Sequence, residues 1–135
     1  MGNLFYRTPS EKPEGKGDRN RVTPLIFSFF SGAGFLDLGF EKAGFEIGYV
    51  NEVHKPFLDA YKYSRQRIGT PQPLHGYFEG DIECCLTGKE AKHLSSLVNA
   101  AKSDKQLVGF IGGPPCPDFS VGGKNRGQHG ENGKL

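Results

Sequence analysis

The chain has 135 residues, enough for one domain with its own core, and its 36% apolar and 24% charged content lie in the globular range. The absence of any run of about 18 apolar residues argues against a membrane span and for a soluble chain. A formal charge of +2, from 17 Lys and Arg against 15 Asp and Glu, is too small to mark a nucleic-acid binder by bulk electrostatics, so any such function has to be found in a site.

Residues 1–23 mix Pro9, Pro13, Gly15 and Gly17 with Arg7, Lys12, Lys16, Arg19 and Arg21 and keep no sustained period. This predicts a flexible leader before a folded unit over residues 24–135. Residues 25–30, Leu-Ile-Phe-Ser-Phe-Phe, are almost wholly apolar and of strand length, the pattern of a strand covered on both faces of a parallel sheet. Ser31-Gly32-Ala33-Gly34 predicts a loop. Leu36, Phe40 and Ala43 then recur at helical spacing, and Gly44 is placed to end that helix.

A second strand is expected over residues 45–50, delivering Asn51 and Glu52 at its carboxyl end, followed by a helix carrying Phe57, Ala60, Tyr61 and Ser64. Gly69, Pro71, Pro73 and Gly76 mark a loop, and Tyr77 and Phe78 a short strand ahead of Gly80-Asp81-Ile82. Leu94, Leu97, Val98 and Ala101 form one apolar stripe on a helix over residues 89–102. A further buried strand over residues 106–111 runs into Gly112-Gly113-Pro114-Pro115-Cys116. Strands alternating with helices predict an open, doubly wound α/β sheet, in which ligands collect beyond the carboxyl ends of the strands.

The Gly32-Ala33-Gly34 turn lets a ligand approach the backbone where a Cβ would collide. Glu52, at the end of the next strand, can accept both hydroxyls of a ribose. A dinucleotide site would need a third glycine where Asp37 stands, and an acidic side chain near a helix start repels a pyrophosphate, so a nucleoside without phosphates fits better than NAD. Asp81 ends the third strand, where it can accept from an adenine amino group while Ile82 packs on the ring. Either carboxylate alone is as readily a solvated loop residue; together with the glycine turn they point to one site.

Three cysteines, two of them adjacent at Cys84 and Cys85, make no disulfide framework, and no secretory segment opens the chain; an intracellular compartment is expected. Cys84, Cys85, His75 and His93 lack paired C-x-x-C spacing, so no metal is expected. A free cysteine is more often inert than nucleophilic, but Cys116 follows the rigid Pro114-Pro115 pair at a strand end, where a reactive side chain would be aimed. The segment after it is rich in glycine and carries Ser120, Lys124 and Arg126, all able to donate to phosphate of a nucleic acid.

Phe-Ser-Gly-Ala-Gly-Phe-Leu-Asp-Leu-Gly-Phe from Phe30 to Phe40, Asn51-Glu52, Gly80-Asp81-Ile82, and Gly113-Pro114-Pro115-Cys116-Pro117-Asp118-Phe119-Ser120 together resemble the first four motifs of the cytosine-5 DNA methyltransferases. The resemblance runs over about residues 25–127 and implies an incomplete Rossmann-like fold of S-adenosylmethionine-dependent methyltransferases. It implies that Phe30, Gly32, Ala33, Gly34 and Phe35 line S-adenosylmethionine, with Glu52 on the ribose, Val53 beside the adenine, Asp81 and Ile82 at the adenine edge, and Pro115 against the cofactor. Cys116 would add to C6 of a cytosine flipped from double-stranded DNA, so that C5 takes the methyl group and S-adenosylhomocysteine is the product.

Members of that family protonate the base at N3 with a glutamate of a Glu-Asn-Val motif. Glu131-Asn132-Gly133 lies too soon after Cys116 to be given that role. The motif itself, a later arginine motif, the target-recognition domain and a final helix are absent, and Pro117 stands where glutamine is common. The expectation is the N-terminal part of a bacterial restriction-modification methyltransferase, working in the cytoplasm or nucleoid. Such a fragment or split subunit would be inactive without a second chain carrying the remaining motifs. Two rivals are a tRNA cytosine-5 methyltransferase of the same fold, and a non-catalytic cofactor-binding or assembly module in which Cys116 is structural.

Overall fold

A computed structural model describes residues 23–114. In chain order these form β1 (Leu25–Phe29), α1 (Phe35–Lys42), β2 (Glu46–Glu52), α2 (Lys55–Ile68), β3 (Tyr77–Glu79), the single turn α3 (Glu83–Leu86), α4 (Gly88–Ser103) and β4 (Val108–Gly112). The four strands make one parallel sheet in the order β3-β2-β1-β4. The chain winds outward from β1 to β3, then crosses back through α4 to place β4 on the other side of β1. Strand order reverses at β1, the position where open α/β sheets form their ligand crevice.

Side-chain alternation sorts the core into two layers. Leu25 and Phe27 of β1 and Tyr49 of β2 pack with Leu94 and Ala101 of α4, while Ile26, Ile47 and Val50 pack with Leu58 and Tyr61 of α2. Ile47 and Val50 share a layer although three positions apart because the β1–β2 register shifts, Ile26 pairing with Ile47 but Phe27 with Tyr49. Gly48 is the inserted residue, and a Cβ there would sit 2.8 Å from Leu25 and Phe27 side-chain atoms, so only glycine lets the two strands close. Helix ends follow local chemistry: α2 opens with Pro56 in its first turn and stops at Gly69, with φ at 67°.

The α/β class, the strand order along the chain and the apolar stripe of α4 match the expectation from sequence. Three details differ. Asn51 and Glu52 lie within β2, because Val50–Tyr77, Asn51–Phe78 and Glu52–Glu79 pairing with β3 extends the strand. The turn α3 was not foreseen: Asp81 Oδ1 accepts from Glu83 N at 2.9 Å and starts a helix too short to carry a period. Residues 106–111 were expected to be a buried strand, yet in β4 Phe110 is 60% exposed, because its ring stands on the sheet face that borders an open cavity between β4 and α4.

Candidate functional site

The ends of the strands converge on a cavity of about 520 Å³ lined by Phe30, Gly32, Asn51, Glu52, Val53, His54, Phe57, Asp81, Ile82 and Gly113. Its size falls in the range that holds small organic ligands. Of the residues expected to bind a nucleoside cofactor, Phe30, Gly32, Glu52, Val53, Asp81 and Ile82 come together on this wall. Ala33, Gly34 and Phe35 do not line it; Phe35 is 82% exposed and Gly34 is buried against Tyr61. Pro115, Cys116, Ser120, Lys124 and Arg126 lie outside the described residues.

The glycine loop is unusual backbone. Phe30, Gly32 and Gly34 all have positive φ, at 50°, 55° and 85°. For Phe30 this left-handed conformation costs on the order of 1 kcal/mol and persists only where the surroundings enforce it. Here Ser31 N donates to Asn51 O at 3.2 Å, and Gly34 N to Ser31 O at 3.0 Å, folding the loop over the end of β2. A Cβ on Gly32 would meet no atom within 4 Å, so Gly32 borders open space.

Glu52 is the organising side chain. It is 7% exposed, and it accepts from Gly32 N through Oε2 and from His54 N through Oε1, both at 2.8 Å. Two charge-assisted bonds fix the carboxylate plane, and each oxygen keeps a lone pair for a further donor. Asn51 holds the neighbouring strand end: its Nδ2 donates to Phe78 O at 3.3 Å and Gly80 O at 2.8 Å, which brings Asp81 and Ile82 beside Glu52. Asp81 is exposed and uses only Oδ1 for Glu83 N. The wall thus offers two carboxylates and the apolar surfaces of Phe30, Val53 and Ile82. That set suits the hydroxyls, amino group and ring of an adenosine and a cationic sulfonium, and opposes a pyrophosphate.

Sequence reasoning passed over His54 and Phe57, whose rings contact at 4.5 Å and border the same cavity. Phe57 counted as a helix-stripe residue by its spacing with Tyr61, but it is 52% exposed at the start of α2. Asp37 also has a different role from the one its position suggested. It is fully buried and accepts from Ser28 Oγ at 2.7 Å and Tyr61 OH at 2.6 Å. Its carboxylate is turned into the protein, and does not meet a ligand at the helix start.

A second cavity, about 790 Å³, opens between α4 and β4 and shares Phe30 and Ile82 with the first. Its walls are mainly apolar, with Lys102 as the one charged residue, whereas the carboxylates of Glu52 and Asp81 stand on the smaller cavity. Cys85 borders it, and burial pushes its thiol up, against the lowering effect of its contact with Tyr49 OH at 3.9 Å. A thiol so placed stays protonated and is a poor nucleophile. No group of three metal-ligating side chains occurs among the described residues, and none of the described helices is long and apolar enough to cross a membrane.

A family model for the C-5 cytosine-specific DNA methylases matches residues 25–135. The chain is 62% identical over 117 residues to the Type II methyltransferase M.NmeDI of Neisseria meningitidis serogroup C, covering 87% of this chain and 28% of that protein. It is 36% identical over 110 residues to the Type II methyltransferase M.NgoPII of Neisseria gonorrhoeae and 38% identical over 110 residues to M.FnuDI of Fusobacterium nucleatum, in each case covering 82% of this chain and 26% of the relative. The chain therefore spans little more than a quarter of the length of these relatives. With its parallel Rossmann-like sheet, its strand-end cavity and these matches, the chain belongs to the family of C-5 cytosine-specific DNA methylases.

Proposed function

We propose that this chain provides the S-adenosylmethionine pocket and, through Cys116, the nucleophile of a DNA cytosine-5 methyltransferase of the Type II restriction-modification kind. The observation that carries the reading is the convergence of Gly32, Glu52 and Asp81, from the ends of three adjacent strands, on one cavity of nucleoside size. Glu52, already held by two backbone donors, accepts the ribose hydroxyls; Asp81 Oδ2 accepts from the adenine amino group; Val53 and Ile82 flank the ring. When bound, the cofactor supplies an electrophilic methyl group on sulfur.

Gly112-Gly113-Pro114 leaves the end of β4, and Gly113 already borders the cavity. The chain thus runs past the pocket two residues before Pro115 and three before Cys116. The thiolate of Cys116 adds to C6 of cytosine, the C5=C6 electrons go to C5 to take the methyl group, a base removes the C5 proton, and elimination returns the thiolate. Ser120, Lys124 and Arg126 hold DNA phosphates. A second chain, or the remainder of a longer one, supplies the acid at N3 and the target-recognition surface.

The test mixes this chain with a polypeptide carrying the remaining methyltransferase motifs, S-adenosylmethionine, and a duplex containing 5-fluorocytosine, whose fluorine cannot leave as a proton does. A denaturation-resistant adduct that disappears in Cys116→Ser is expected. An adduct formed equally well by Cys116→Ser, or none with the parent chain, overturns the assignment of the nucleophile.

A further inference from the structure

The carboxylate of Asp37 is fully buried, yet the pocket does not use it. It joins three elements: Ser28 Oγ of β1 and Tyr61 OH of α2 both donate to it, while Asp37 itself belongs to the first turn of α1. Tyr61 OH also accepts from Arg65 Nη1 at 3.2 Å, and Arg65, 2% exposed, pairs with Glu41 of α1 and donates to Pro71 O. Ser28 and Asp37 stand on either side of the glycine loop in sequence, so the network ties together the two ends from which the loop springs. The Tyr61 ring lies so close to Gly34 that any Cβ there would collide with it.

Burying a carboxylate is a costly way to join two helices to a strand; apolar residues of similar volume often hold such a joint equally well. What a saturated polar network adds is a single geometry. The loop needs one, since three of its residues sit in left-handed conformations and its purpose is to deliver Gly32 N–H to Glu52 at 2.8 Å.

We propose that Asp37 and Tyr61 are positioning residues for the cofactor, holding the start of α1 so that residues 30–34 keep Gly32 bonded to Glu52 and the ribose-binding carboxylate stays aligned. This rests on the cofactor reading above. Neither residue touches the ligand; both act through the loop.

Tyr61→Phe in the full chain keeps the ring against Gly34 and removes only the hydroxyl. The variant loses both hydrogen bonds of that hydroxyl, the one donated to Asp37 and the one accepted from Arg65, and affinity for S-adenosylhomocysteine lower by about fivefold or more is expected in calorimetry. Amide exchange at Gly32, followed by NMR in the ligand-free chain, should quicken by a similar factor, whereas the Phe27 amide in the middle of β1 keeps its parental protection. A residue that merely stabilises the core would alter both amides or neither. Parental exchange at Gly32 in Tyr61→Phe overturns the proposal, as does a Phe27 amide that loosens equally. Should Tyr61→Phe fail to fold, Ser28→Ala removes the other donor to Asp37 and is read in the same way. If the parent chain binds no S-adenosylhomocysteine, the cofactor reading falls, and the Gly32 comparison in the free chain still decides this one.

Discussion

Glu52 does two tasks with one carboxylate, bracing the glycine loop and facing the cavity, and so tolerates little change. In Glu52→Gln an NH2 group replaces one oxygen and is set against the N–H of either Gly32 or His54, losing one bond and leaving two donors opposed. Losing one charge-assisted bond, with its partner left unsatisfied, predicts S-adenosylhomocysteine affinity reduced by roughly tenfold or more. Titration calorimetry measures this, and unchanged affinity would remove Glu52 from the site. The place of Glu52 on the cavity wall was legible in the sequence because the strand end after a glycine turn is a position where open α/β sheets gather ligands. The bracing by His54 N and Gly32 N was not, since backbone donors leave no mark on residue identity. Asp37 shows the opposite limit: its place near a helix start suggested a charge that would meet a ligand and repel a pyrophosphate, and only the packing of Tyr61 and Ser28 around it reveals a buried one.

At the scale of elements, β1 and β4 have similar lengths and apolar content but different surroundings. Phe27 of β1 is fully buried between layers, whereas Phe110 of β4, though it contacts Phe27 edge-on and stacks on Phe29, is mostly exposed. Phe27→Ala should therefore cost about 3–5 kcal/mol, and Phe110→Ser within about 1 kcal/mol, in urea unfolding of the full chain. Equal costs would mean that β4 is covered in solution. Apolar runs and the breakers between them located the four strands of the described residues but could not separate these two, because an apolar run records that a strand is built for burial and not whether its cover is at hand. The bulge at Gly48 was equally hidden: the alternation through Ile47, Gly48, Tyr49 and Val50 reads as an ordinary strand until its register with β1 is seen.

For the molecule as a whole, Asp37 links stability to pH. Burial raises its pKa above the ordinary 3.8, partly offset by the hydrogen bonds from Tyr61 and Ser28 and the charge of Arg65, with Glu41 adding to the rise. Between 3.8 and the raised folded value the native state binds more protons than the unfolded chain, so this group's contribution to stability declines as pH rises through that window and is constant above it. Asp37→Asn lacks the term. The urea midpoint of the variant relative to the parent should be higher at about pH 7 than at about pH 4, and a relative midpoint independent of pH would contradict the burial of Asp37 as a charge. One more consequence lies in the sheet order. β1 pairs on one side with β2, which follows it closely, and on the other with β4, with Leu25 set beside Val108. During synthesis the central strand therefore emerges early but stays half-zipped until nearly the whole of the described chain has left the ribosome, so a nascent chain stalled before Val108 exposes the middle of its own sheet.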